Sequence, residues 1–140
     1  MIVLDTNVLS EAMKPIPAAE VLRWLAAQPT SRLFTTTITQ AEILYGLELL
    51  PKGKRRAALQ SAVETIFEED FANRVLPFDC DAARIFPQIA ASRRALGHPI
   101  AQWDAQIAAI ARSRGAALAT RNTGDFEHCG VILLNPWAAR

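Results

Sequence analysis

Asp5, Glu42, Asp104 and Asp125 share one kind of position in the chain. Each stands at a junction where a strand-like or loop segment meets a helical one. Asp5 directly follows the aliphatic run Ile2-Val3-Leu4. Glu42 falls in the first turn of a helix expected after a second strand, and Asp104 in the first turn of another. Asp125 follows the short apolar run Ala117-Leu118-Ala119, within Thr120-Arg121-Asn122-Thr123-Gly124-Asp125-Phe126. In an open parallel sheet the carboxyl ends of the strands share one edge, and ligands bind there. Four residues far apart in sequence are thus expected to converge on one spot. Gathered carboxylates repel one another and become favourable only with a cation between them. Oxygen-only ligands suit Mg²⁺ or Mn²⁺, octahedral and partly hydrated.

Each acid also has an ordinary reading. Glu42 follows Thr39 by three residues, the spacing of a capping box. Asp104 in a first helical turn favours the macrodipole. Asp5 is a possible helix cap, and Asp125 a possible turn former. The four together are far more specific than any one of them.

The elements that must position them are legible as alternating short strands and helices. Met1–Leu4 reads as a buried strand, without polar alternation. Thr6–Met13 reads as a short helix ended by Pro15, and Ala18–Gln28 as a second with Pro17 in its first turn. Arg32–Thr36 is strand-like, and Ile38–Leu50 is a helix stopped by Pro51. Leu59, Val63, Ile66 and Phe67 recur at helical spacing within Lys54–Phe71. Arg74–Pro77 is a strand candidate. A helix capped by Asp79 or Asp81 runs toward Leu96, disturbed near Pro87 and stopped by Gly97. Ala101–Arg114 is a helix ended by Gly115, and Ala117–Ala119 and Val131–Leu134 complete the strands. This alternation predicts an α/β fold: one domain over residues 1–140, with a central, mainly parallel sheet flanked by helices.

Composition sets the outer bounds. The 140 residues, 51% hydrophobic and 21% charged, with 25 alanines, fit one helix-rich globular domain and exclude wholesale disorder. Fifteen basic and 14 acidic residues give a net charge of +1, which excludes a strongly basic nucleic-acid coat but not local patches. No run of about 18 apolar residues suggests a membrane span. The start lacks the basic n-region of a signal peptide. Cys80 and Cys129 form no CxxC pair and read as buried thiols of a cytoplasmic protein. His98 and His128 have no zinc-ligand spacing with them and read as surface or loop residues. No GxSxG, GxGxxG or GxxxxGK[ST] motif is present.

With those residues in place, the chain resembles a known family. VLDTNVLSE at 3–11, TTTITQAEILYGLELLPKGKRR at 35–56, IAQWDAQIAAIARSRGAALATRNTGDF at 100–126 and the ending VILLNPW are similar to PIN-domain ribonucleases. More narrowly they resemble VapC-type toxins of type II toxin–antitoxin pairs, in the FitB-like branch. The resemblance implies a Rossmann-like sheet and Mg²⁺- or Mn²⁺-dependent hydrolysis of RNA. It also implies inhibition by a small cognate antitoxin that binds DNA. Asp5, Glu42 and Asp104 match the first three family acids and imply the metal ligands. The fourth position falls on Asp125 or on Asn122. Thr6 and Asn7 match residues that orient the first acid, and Thr120 a hydroxyl near the pocket.

Two surfaces accompany the acids. Lys52, Lys54, Arg55 and Arg56 form a basic cluster that reads as a solvated helix start or as a phosphate-binding patch for RNA, with Arg93, Arg94, Arg112, Arg114 and Arg121 as possible additions. Leu22, Trp24 and Leu25, with Leu44, Tyr45, Leu47 and Leu49, exceed what two buried helix faces need. The excess suits an antitoxin groove or a homodimer face. The expected activity is that of a metal-dependent endoribonuclease, cytoplasmic, with no membrane partner. The rival is a non-catalytic module of the same fold that uses its acids only to bind a metal or a partner.

Overall fold

The computed structural model describes residues 1–138. Among them the chain forms strands β1 (Ile2–Leu4), β2 (Leu33–Thr36), β3 (Val75–Leu76), β4 (Ala117–Ala119) and β5 (Leu133–Leu134). Between these lie helices α1 (Thr6–Ala12), α2 (Ala19–Ala26), α3 (Thr37–Glu48), α4 (Lys54–Thr65), α5 (Cys80–Ala95) and α6 (Gln102–Ser113). The sheet order is β3-β2-β1-β4-β5, and every neighbouring pair is parallel. The expected α/β class holds. β1 is central, with Ile2 paired to Leu33 on one side and to Ala117 on the other. A parallel sheet covered on both faces needs continuous apolar strands, and Ile2, Val3 and Leu4 are all buried.

Two cores clasp the sheet. On one face, Ala82 and Ile89 of α5 meet Ile107–Ala111 of α6 over Val3 and Leu118. The alanines let α6 approach closely. On the other, Val8 and Leu9 of α1, Val21 of α2 and Ile43 and Leu47 of α3 pack with Val63, Phe67 and Phe71.

Several boundaries differ from the sequence reading for identifiable reasons. The α3 N-cap is Thr36, whose Oγ1 accepts from the Thr39 amide at 3.1 Å. The capping box from Thr39 to Glu42 therefore does not form, and Glu42 lies in the second turn, not the first. Pro17 precedes the α2 N-cap Ala18 rather than opening the helix. The helix begun at Lys54 passes at Ile66–Asp70 into a π turn, closed by the Phe71 amide on the Ile66 carbonyl at 2.9 Å. Asp79, not Asp81, caps α5, with Oδ1 3.0 Å from the Ala82 amide. Pro87 sits inside α5 without ending it. Both it and Ala83 are exposed, so water can take the carbonyl that proline leaves unpaired. Cys129 is buried, but Cys80, in the first turn of α5, is exposed rather than buried.

Candidate active site

The chain reverses its direction of travel across the sheet between β1 and β4, so their carboxyl ends open the crevice where α/β proteins bind ligands. Asp5 leaves β1 there. Its amide donates to the Ala119 carbonyl at 2.9 Å, the last bond of the β1–β4 ladder. Its side chain is only 5% exposed. Oδ1 accepts from the Thr6 amide and Oδ2 from the Thr120 hydroxyl, each at 2.8 Å. Thr120 Oγ1 in turn accepts from Asn7 Nδ2 at 3.3 Å and from the Asn122 amide at 3.1 Å. Asn7 Oδ1 accepts from the Arg121 amide at 3.3 Å. Thr6, Asn7 and Thr120 thus form a scaffold around Asp5. The Thr6 hydroxyl also meets that of Thr39 at 3.0 Å.

Glu42 enters from α3. Its Oε1 is buried and has no hydrogen-bond partner. Burial is the main force raising its carboxyl to about 7, with the Asp5 and Asp104 charges adding to it. Asp104, in the first turn of α6, is raised to about 6, first by burial and then by Asp5 and Asp125, while Arg93 opposes the rise. The Asp5 carboxyl is also raised by burial, against the hydrogen bonds from Thr120 and Thr6. Asp5 thus stands within electrostatic reach of the other acids, and Asp104 of Asp5 and Asp125. Asp125 stands in a 3-10 turn over Thr123–Phe126 and lines a cleft with Asp104, Arg93 and Pro99. The acid that faces this cleft is Asp125, whereas Asn122 contributes its backbone, with its carbonyl accepting from the Asp125 amide at 3.0 Å.

Among the described residues no group of three or more acids, histidines or cysteines is drawn together tightly enough to hold an ion unaided. Mg²⁺ does not require that, because it keeps several waters and commonly takes only one or two protein carboxylates directly. The residues fit such an ion in one respect above all: a buried carboxylate oxygen without a donor, on Glu42, is a group in need of a positive partner.

Not every expected residue reaches this edge. Lys52, Lys54, Arg55 and Arg56 lie beyond the far end of α3, where Arg56 pairs with Glu48 at 2.9 Å and donates to the Leu50 carbonyl. Arg93, read from sequence as a possible surface cation, is instead buried, 6% exposed, and turned inward. The hydrophobic surface is partly as expected. Leu47 is core, whereas Leu22, Leu44, Tyr45 and Leu49 are exposed. A mostly apolar cleft of about 400 Å³ runs from Thr6 and Glu42 past Met13 and Tyr45 to Leu59, Val63 and Trp103. Met13 also lines a second, of about 300 Å³, with Leu9, Leu25, Ile66 and Phe71.

Comparison with known proteins agrees with this architecture. The family model of the PIN domain matches residues 2–131. The VapC ribonuclease Y4jK of Sinorhizobium fredii is 44% identical over 137 residues, covering 98% of this chain and 98% of that protein. Toxin FitB of Neisseria gonorrhoeae is 39% identical over 137 residues, covering 98% of this chain and 99% of that protein. The solved structure of FitAB bound to an IR36 DNA fragment superposes with a TM-score of 0.93 at 38% identity, covering 100% of this chain and 98% of the other. A sheet with β1 at its centre and an acidic crevice between β1 and β4, matched over its whole length by such relatives, places the chain in the PIN-domain family, among the VapC and FitB toxins.

Proposed function

We propose that the chain is the toxin of a type II toxin–antitoxin module and acts as a Mg²⁺-dependent endoribonuclease in the cytoplasm, with Mn²⁺ able to substitute. The observation that carries the reading is a buried carboxylate oxygen, Glu42 Oε1, left without a hydrogen-bond donor in the acidic crevice. Burial first, and the neighbouring acids second, raise Glu42 to about 7 and Asp104 to about 6. A site that strains its own carboxylates in this way favours a divalent cation.

Asp5, Glu42 and Asp104 are the residues that would hold the ion, with Asp125 at its margin. Bound there, the cation supplies Lewis acidity, making water a stronger acid and offsetting charge that develops on the scissile phosphate. The remaining work belongs to the chain. Thr6 and Thr120 hold the Asp5 carboxylate in one orientation through its two oxygens. Glu42, whose buried Oε1 has no hydrogen-bond donor of its own, is the carboxylate suited to take the proton of the attacking water. Water as nucleophile makes the 2′-hydroxyl unnecessary: its oxygen bonds to phosphorus as the P–O3′ bond breaks and the 3′-oxygen takes a proton, leaving a 5′-phosphate and a 3′-hydroxyl.

The partner is a small DNA-binding antitoxin. Its helix suits the two clefts that meet at Met13, and a trailing arm along the larger one arrives at Glu42. An arginine on that arm would bring a guanidinium to the acids in place of the metal. The exposed Leu44 and Leu49 on the α3 side suit a second copy of the chain.

The test is RNA cleavage by protein freed of antitoxin. Activity should disappear in EDTA, return with Mn²⁺, and fall at least about a hundredfold in Asp104→Asn, which removes a ligand charge. Cleavage that continues after complete metal removal would overturn the reading.

A further inference from the structure

Arg93 is the buried cation that the proposed chemistry leaves unused. It projects from the last turn of α5 and lines the cleft that holds Asp104 and Asp125. Its Nε donates to the His98 carbonyl at 2.8 Å, in the turn that leads to α6. Its Nη1 donates to the carbonyls of Asp125 at 2.6 Å and Glu127 at 3.1 Å, and lies 3.7 Å from Cys129 Sγ. Among the described residues it has no carboxylate at ion-pair distance.

A buried guanidinium without an ion pair is costly to keep. Two features offset that penalty here: backbone carbonyls that accept from a rigid fork of donors, and the diffuse negative charge of the crevice. The second is visible at Asp104, whose carboxyl Arg93 pulls down while burial and the other acids push it up. The first has a geometric consequence. Asp125 belongs to a short turn of four residues with little packing of its own beyond Phe126. The main chain that leaves Asp125 is tied at its own carbonyl and at that of Glu127 to Arg93, and through Arg93 to the turn before α6. Asp104 rides on α6.

We propose that Arg93 is a positioning residue of the acidic site: by holding the carbonyls of Asp125 and Glu127 against that of His98, it fixes where the Asp125 carboxylate stands relative to Asp104 when the cation binds. This rests on the metal-dependent reading above. Lysine cannot reproduce the arrangement, because one ammonium on a flexible stem replaces a planar fork whose donors point in different directions.

Arg93→Lys keeps the charge and removes the fork, so it isolates position from electrostatics. Mn²⁺ binding, followed by loss of the free-ion electron paramagnetic resonance signal, should weaken about tenfold in Arg93→Lys relative to wild type. In an Asp125→Asn background the same change should weaken binding less than about twofold, because the group being positioned no longer carries its charge. Wild-type affinity in Arg93→Lys would overturn the positioning role and leave the metal site standing, and so would an undiminished tenfold effect in the Asp125→Asn background. Absence of Mn²⁺ binding to wild type would overturn both readings. Should Arg93→Lys fail to fold, amide hydrogen exchange of the wild type decides. Saturating Mn²⁺ should slow exchange in residues 123–128 and at Gly97 and His98 together. Protection of 123–128 alone would overturn the clasp.

Discussion

Glu42 is the residue where folding and function pull hardest against each other. Its carboxyl has an ordinary value of 4.5 and rises to about 7 in the folded chain. Between those values the folded chain holds a proton that the unfolded chain has released. Stability from this group is therefore complete below the unfolded value and is lost as the pH rises through 7. Asp104 acts in the same direction over a lower range, from 3.8 to about 6. Metal-free protein should thus show a melting temperature that falls as the pH rises from near 4.5 to 7 on account of these groups. Glu42→Gln, which carries no charge to bury, should flatten part of that fall and melt higher than wild type at pH 7. Melts in EDTA across this range check it, and equal slopes in the two proteins would acquit Glu42. Mg²⁺ should reverse the order, because only the folded state gathers its ligands. At a hundred times its dissociation constant it adds about 2.7 kcal/mol to wild type, and less to Glu42→Gln.

At the scale of elements, caps and strand ends decide how accurately a side chain arrives. Asp79 caps α5, and its other oxygen meets Arg114 at 3.4 Å in a partly exposed pair that contributes little. Asp79→Ala should destabilise by about 1 kcal/mol, whereas Asp79→Asn, with an equally good capping oxygen, should stay within a few tenths. Urea midpoints measure this, and RNA cleavage by both variants should match wild type. The same scale explains what could be read in advance. Asp5 and Asp104 were legible because a carboxylate after a buried strand or in a first helical turn is a local pattern. Glu42 stands a turn deeper in α3 than its spacing from Thr39 suggests, because two threonines, Thr36 and Thr39, compete for one cap, and only the pairing of β2 with β3 through Thr36 decides between them. β5 is shorter than Val131–Leu134: Leu133 and Leu134 pair with Leu118 and Ala119, whereas exposed Ile132 joins β4 only through its carbonyl, which accepts from the Leu118 amide at 2.8 Å. Arg93 was not legible at all. An arginine beside Arg94 near a helix end looks solvated, and its acceptors are backbone carbonyls up to 34 residues away, which have no signature in a sequence.

For the whole molecule, two mostly apolar clefts meet at Met13, and the larger of them reaches Glu42. Met13 lines both clefts and lies at the end of α1, outside the acid scaffold. Met13→Glu should therefore abolish copurification with the co-expressed antitoxin, because a charge would have to be desolvated at the junction. The free variant should still cleave RNA and lose activity in EDTA. Retained copurification would move the antitoxin elsewhere on the surface.

The central place of β1 in the sheet has a consequence for synthesis on the ribosome. The first strand made pairs with β4, and Val3 must wait for Leu118. At about 5–20 residues per second, the intervening stretch takes roughly 6–23 seconds to translate. During that interval the nascent chain gains Asp5, then Glu42 and late on Asp104, but not Asp125, and without β4 it has no crevice to gather them. A message cut short anywhere before β4 yields an inert peptide. On the proposed function, RNA cleavage can begin only after β4 and Asp125 have been made, late in the translation of this domain.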